Sequence, residues 1–324
     1  MDPAQYTNRV DLWQQLGLDK TGDMLWLLFH TRRYHIEDIS RLEGWRKANK
    51  IFLMDHEAFP KSVEYLDIDS RICLWDATFN DHPRFRTYQW WFNWMRIIEN
   101  HQQLTKRLLP VDDKTPTHIF DALLGTMRPH KNVILNFIKS HPDPSAFLLG
   151  TTKSLNLNLQ SVPNDWILGG DFETRTNKKI TYVDQCTAQS SCFVPYAIYN
   201  RTWYSLICET RGQGPVIFTE KLGKALLAQR IFILVSSHHA LKSLRRLGFR
   251  TFSHVLDESY DEISDDHQRW TAAWKSVKIL LDMDPKTVYK SCQDILYHNQ
   301  QLILTTDWDQ IFQKQVTEIL TSSE

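Results

Sequence analysis

Glu220 and Lys221 stand together after Thr219 in "VIFTEKLGKALLAQRIFILVSS" (216–237), where a helical pattern runs straight into an apolar strand pattern. Thr219 is a suitable N-cap, so both charges fall in the first helical turn. A lysine there can meet a diphosphate, and a neighbouring carboxylate can accept two hydrogen bonds from a ribose diol. Together they would hold a nucleoside diphosphate at a helix N-terminus, whose free N–H groups already favour anions. The plainer reading is a carboxylate complementing the helix dipole beside a solvated lysine. Two further groups could share this edge. Glu209 ends the strand-like "WYSLICET" (203–210), and Arg128 with Lys131 lies in "LLGTMRPHKN" (123–132), between a strand pattern and a helix pattern. Arg128 could neutralise a leaving diphosphate by charge-assisted hydrogen bonds, or be a surface charge.

The elements that must position these groups alternate along the chain. "MLWLLF" (24–29), "KIFLMD" (50–55) and "RICLWD" (71–76) read as strands, "HIEDISRLEGWRKA" between the first two as a helix, and 86–104 as another helix. After a charged, proline-marked stretch at 108–118, strands are expected at 119–125, 145–152, 203–210 and 231–237, with helices between. Residues 153–195 give weak signals, and the chain from about 265 reads as helical. This βαβ rhythm predicts α/β architecture, with two Rossmann-like domains facing across a cleft and a helical C-terminal segment. The domains are expected at 1–115 and 116–324, with ligand at the carboxyl ends of the strands.

Composition narrows the class. Of 324 residues, 42% are hydrophobic and 23% charged, enough for a sizeable core in two domains. Lys plus Arg and Asp plus Glu both number 38, so no global charge draws the chain to nucleic acid and such a contact would need a local patch. No apolar run approaches a membrane span, and the N-terminus carries no export signal. Five cysteines without paired spacing fit neither a disulfide framework nor a structural zinc site, which points to the reducing cytoplasm.

The stretch 199–261 resembles a known family. "FTEKLGKALLAQRIFILVSS" is similar to the donor-binding segment of α1,3-fucosyltransferases and related two-Rossmann (GT-B) glycosyltransferases. The longer order, with "YNRTWYSLICET" before Thr-Glu-Lys and "LRRLGF" and "VLDESYD" after it, resembles glycosyltransferase-like proteins of tailed bacteriophages. The resemblance covers about a fifth of the chain. It implies that Glu220 binds the donor ribose, Lys221 the diphosphate, and Glu209 the sugar or base, with Thr219 opening the helix. Arg128 and Lys131 would complete the donor site. It implies a nucleotide-diphosphate sugar as co-substrate, with no further cofactor and no metal.

An inverting transfer needs a base to take the acceptor proton. "FLMDHEAFP" (52–60) offers Asp55 and Glu57 just past a strand end, and Asp76 follows the next strand. The family's base lies in a Glu-Ser-Pro loop, whereas this chain has Glu-Ala-Phe-Pro. "RFRTYQWWFNWMR" (84–96) interleaves arginines with rings, so Arg84, Arg86 and Trp90 are candidates for contacting an acceptor. At helical spacing Trp90, Trp91 and Trp94 also form a stripe that would face a core. The phage-like resemblance suggests hydroxymethylated bases of DNA as acceptor, reached by base flipping; a glycan or a lipid carrier is the alternative, as is a non-catalytic nucleic-acid-binding module on a transferase-like fold.

Other polar patterns carry weaker chemistry. Asp67-x-Asp69 and Asp282-x-Asp284 match a short metal-binding signature, and 257–266 reads as a solvated acidic loop with helix-capping aspartates. His238 and His239 are adjacent and expected to point to different faces, which speaks against a metal pair.

Overall fold

The protein is described by a computed structural model covering residues 24–27, 50–53, 72–75, 77, 86–89, 91–102, 108–151, 174–177, 179–183 and 193–321. It is an α/β chain that divides into two compact units, Met1–Trp91 with Asp307–Glu324, and Phe92–Thr306. The division falls at 91/92 rather than at 115/116, and the last helix belongs with the first unit.

In the first unit, β1 (Met24–Leu27), β2 (Lys50–Leu53), β3 (Ile72–Trp75) and β4 (Arg86–Tyr88) form a parallel sheet in sequential order. Residues 86–88, expected to be helical, are strand: Thr87 and Tyr88 are buried and Leu74 pairs with Thr87. The C-terminal helix Trp308–Thr321 packs on β4. Tyr88 lies 6.3 Å from the Phe312 ring, and Trp91 lies 4.6 Å from Trp308.

The second unit is built on six strands in the order β10-β9-β5-β6-β8-β7. Strands β5 (His118–Gly125), β6 (Phe147–Thr151), β9 (Thr202–Cys208) and β10 (Phe232–Val235) run parallel. β10 is buried at all four positions, and β9 at six of seven. Such near-continuous apolar runs suit strands covered on both faces. β8 (Ile180–Val183) pairs parallel with β6 and antiparallel with β7 (Thr174–Asn177), so the sheet is mixed. That hairpin was illegible in the polar sequence 153–195; Lys179, in the left-handed region at φ 65°, lies between its strands.

Helices cover the sheet. In chain order they are α1 (Phe92–Gln102), α2 (Pro129–Ser140), α3 (Tyr196–Asn200), α4 (Glu220–Leu227), α5 (Ala240–Arg246), α6 (Asp266–Leu281) and α7 (Pro285–Thr305), with Trp308–Thr321 as α8 in the first unit. α1 explains the boundary. Trp94 and Ile97 are fully buried, Trp94 against the rings of Phe218 and Phe249 at 6.2 and 5.7 Å. Trp91 and Trp94 are thus both core, but of different units. Gly223 in α4 makes the approach of α1 feasible, since a Cβ there would meet Ile97 Cδ1 at 2.6 Å and Trp94 Cδ1 at 2.9 Å.

A buried ion pair ties β5, β9 and the start of β10 together. Asp121 accepts from Arg230 at 2.8 Å, Ser205 at 2.9 Å and Thr202 at 3.0 Å, while Arg230 also donates to the carbonyls of Tyr199 and Thr202. Every charge here has a partner, as burial demands. Among the described residues no helix is long and apolar enough to cross a membrane.

Candidate functional site

Strands β5 and β9 are parallel neighbours, so Gly125 and Cys208 end at the same edge of the sheet and the helices that follow begin there. The loop after β5 carries Arg128 as the N-cap residue of α2, with Pro129 preset for the first turn. The loop after β9, 209–219, leads to Thr219 and α4. All six expected donor-site residues lie in the segments that follow these two strands, Arg128 and Lys131 after β5 and Glu209, Thr219, Glu220 and Lys221 after β9, and Thr219, Glu220 and Lys221 open the second helix.

Glu209 organises this edge. It is fully buried, and its carboxylate accepts from Thr219 N at 3.0 Å, Thr210 N at 3.2 Å and the Thr219 hydroxyl. Both oxygens are engaged, so Glu209 positions the Thr219 turn and does not itself face a ligand. Burial pushes its carboxyl above the usual range, against the pull of Lys221 and the Thr219 bonds.

Thr219 caps α4 as expected, its hydroxyl accepting from Lys221 N at 3.4 Å. Lys221 Nζ reaches Thr210 Oγ1 at 3.0 Å and Thr219 Oγ1 and Glu220 Oε1 at 3.3 Å each. Lys221 and Glu220 are half-buried, their side chains 20% and 18% exposed. Burial opposes charge on both. For Glu220 the nearby Lys221 and Lys224 outweigh it and bring the carboxyl down to about 2; for Lys221 the carboxylates of Glu220 and Glu209 carry the ammonium above its usual value.

The other side of the edge comes from α2. Lys131 is buried with Nζ on the Thr126 carbonyl at 3.2 Å; burial and then the charge of Lys221 lower it to about 8. It therefore acts on the site through its field. His130 is the residue that sequence reasoning missed here. Its Nε2 lies 2.8 Å from the Glu209 carbonyl oxygen, joining the two loops. Burial drives the imidazole down to about 3, with Lys131, Lys221 and Arg128 adding to the effect, so it is neutral and donates to that carbonyl. The Arg128 charge thus reaches the same cluster, and Arg128 is half-buried.

The 209–219 loop is held by further contacts. Gly212 lies against the His130 ring, where a Cβ would come within 2.4 Å of Cγ. Its carbonyl accepts from Arg269 and from Trp270 Nε1, both at 2.9 Å. Trp94 Nε1 donates to the Thr219 carbonyl at 2.9 Å from α1. Neither His130 nor Trp94 carried a local signal: one is a histidine after Pro129, the other one ring of an aromatic run.

Three cations (Arg128, Lys131 and Lys221) thus stand at two helix N-termini, with Lys224 in the last turn of α4 acting on Glu220, against two carboxylates (Glu209 and Glu220). The surplus is positive, and Lys221 and Arg128 are both partly exposed. This arrangement suits a polyanion such as a diphosphate.

The other expected residues are distributed differently. Asp55, Glu57, Asp76, Arg84 and Trp90 lie outside the described residues. Arg86 is half-buried on β4 in the first unit. Asp284 caps α7 through Thr287 N at 2.9 Å and Asp282 is the C-cap of α6, so that Asp-x-Asp serves helix ends. In the acidic loop Asp265 caps α6, but Asp261 is buried, its carboxylate accepting from Leu241 N and Lys242 N at 2.8 Å each at the start of α5. Glu258 is likewise largely covered and accepts from Phe252 N at 2.7 Å. This loop is built into the fold more than solvated.

No protein-family model matches the chain, and no curated protein matches it.

Proposed function

We propose that the protein is a glycosyltransferase that moves a sugar from a nucleotide-diphosphate donor to an acceptor hydroxyl, on a two-Rossmann (GT-B-like) architecture. The observation that carries this reading is the placement of Lys221 and Glu220 in the first turn of α4, beside Arg128 and Lys131 at the start of α2, at one sheet edge. Glu220, kept ionised, is suited to the ribose diol. Lys221 and Arg128 would take up the charge that grows on the leaving diphosphate, the role side-chain cations fill in metal-independent transfer. The acceptor proton requires a base, for which Asp55, Glu57 and Asp76 remain the candidates of the first unit. A hydroxymethylated base of DNA is the acceptor this reading puts first, with Arg84, Arg86 and Trp90 to meet it and a cytoplasmic setting to match.

The test is thermal melting of the intact chain with UDP, GDP, ADP, CMP and their sugars. A ligand at a hundred times its dissociation constant adds about 2.7 kcal/mol to stability. One diphosphate should raise the melting temperature, and Lys221→Ala, by removing contacts of about 1.5–3 kcal/mol, should cut the stabilisation at the same ligand concentration to about 0.3–1.3 kcal/mol. No shift with any nucleotide would overturn the reading. Transfer to hydroxymethylated DNA, compared with free glycans, then separates the acceptors.

A further inference from the structure

His238 and His239 follow β10 at the carboxyl-end edge of the sheet, and they do not point to different faces. Their rings stack at 3.6 Å between centroids. The cause is the backbone: His239 sits in the left-handed region at φ 62° and ψ 24°, which turns two adjacent side chains to one side. A non-glycine residue seldom adopts this conformation and costs free energy to hold there.

Asp261 holds it there. The His239 N–H donates to the Asp261 carbonyl at 3.1 Å, and the Asp261 carboxylate takes the N–H groups of Leu241 and Lys242. The next residue, Glu262, is thereby brought to the histidines. Its Oε2 lies 2.9 Å from His239 Nε2, and its carbonyl oxygen lies 3.3 Å from His238 Nε2. His238, His239 and Glu262 each offer a ligand atom within 4.8 Å of the others, and they are half-buried to exposed.

We propose that His238, His239 and Glu262 form a binding site for a divalent transition ion of the zinc class. Two imidazoles and one carboxylate are a donor set that Zn²⁺ accepts, and bonds of about 2.0–2.1 Å in tetrahedral geometry place ligand atoms roughly 3.4 Å apart. The present spacing requires only side-chain rotation to reach it. Imidazole donors select against Mg²⁺ and Ca²⁺, which prefer oxygen. Solvent exposure of the carboxylate, 61%, leaves further coordination positions open to water or to a ligand. A surface ion pair between His239 and Glu262 alone would need neither the stacked His238 nor the left-handed turn. The site shares no residue with the Lys221 cluster and does not depend on the transferase reading.

Calorimetric titration of the chelator-treated, desalted intact chain with Zn²⁺, Co²⁺ and Mg²⁺ tests this. Zn²⁺ should bind saturably with one equivalent at this site, and Co²⁺ should develop visible d–d absorption of a low-coordinate nitrogen–oxygen site. His238→Ala, His239→Ala and Glu262→Gln should each weaken that step at least about tenfold, while Cys292→Ser, which removes the Cys292–His254 pair as a competing site, should leave it unchanged. All three positions are partly exposed, so circular dichroism should report an intact fold. Absence of saturable Zn²⁺ binding, equal affinity in the three variants and wild type, or Mg²⁺ bound as well as Zn²⁺, overturns the proposal.

Discussion

Thr219→Ala tests whether the edge of the second unit is a built device. The Thr219 hydroxyl accepts from Lys221 N and Lys221 Nζ and donates to the buried Glu209 carboxylate. Loss of the helix cap costs about 1 kcal/mol. Loss of a donor to a buried carboxylate costs about 1.5–3 kcal/mol, because Glu209 keeps its desolvation and loses a partner. The residue is 3% exposed, so water does not restore the bond. The expected destabilisation is the sum, about 2.5–4 kcal/mol. Thr219→Ser keeps the hydroxyl and should lose only the methyl burial, about 0.8 kcal/mol. Urea unfolding followed by tryptophan fluorescence and by circular dichroism measures both, with coincident transitions required before free energies are compared. Diphosphate affinity should fall with the alanine and return with the serine. A Thr219→Ala cost under about 1 kcal/mol, or a serine variant as weak as the alanine, refutes the assigned role of Glu209.

Three further outcomes follow from the same geometry. His130 is held neutral to about 3, so the unfolded chain binds more protons between there and 6.5; stability should rise with pH across that window, and His130→Gln should flatten the rise in acid-unfolding curves. Lys131 titrates near 8 because burial and the charge of Lys221 outweigh the pull of the Glu209 and Glu220 carboxylates, and a bound diphosphate raises that value; calorimetry in two buffers of different ionisation enthalpy should show proton uptake near pH 8 and an affinity that declines above it, and no uptake would remove Lys131 from the site's field. Gly223→Ala places a methyl at 2.6 Å from Ile97 and should cost about 1–3 kcal/mol by overpacking in thermal melts, whereas helix propensity alone would make it stabilising.

Much of the second unit was legible because its signals are local. Continuous apolar runs announced β5, β6, β9 and β10, and the Thr219-Glu220-Lys221 sequence announced a capped helix start, since a cap is decided by residues within one turn. Alternation of strands and helices placed Arg128, Lys131 and Lys221 at strand-to-helix turns, because parallel strands feed helices from one edge. The β7–β8 hairpin was not legible: its residues are polar, and its pairing with β6 comes from contacts distant in the chain. Helical spacing also misread residues 86–88, where a three-residue strand is fixed by its neighbour β3.

The sequence by itself determined the α/β class of the chain and the composition of the charged turns, since periodicity and capping act over a few residues. Only the tertiary structure decided what those charges do. Glu209 faces inward because Thr219 and Thr210, one of them ten residues away, close on it. Trp94 serves the site because α1 packs on α4 across more than a hundred residues of chain. His238 and His239 share a face because a left-handed backbone, clamped by Asp261, overrides the ordinary divergence of adjacent side chains. Burial, pKa and ring stacking depend on which segments meet, and sequence separation carries no information on that.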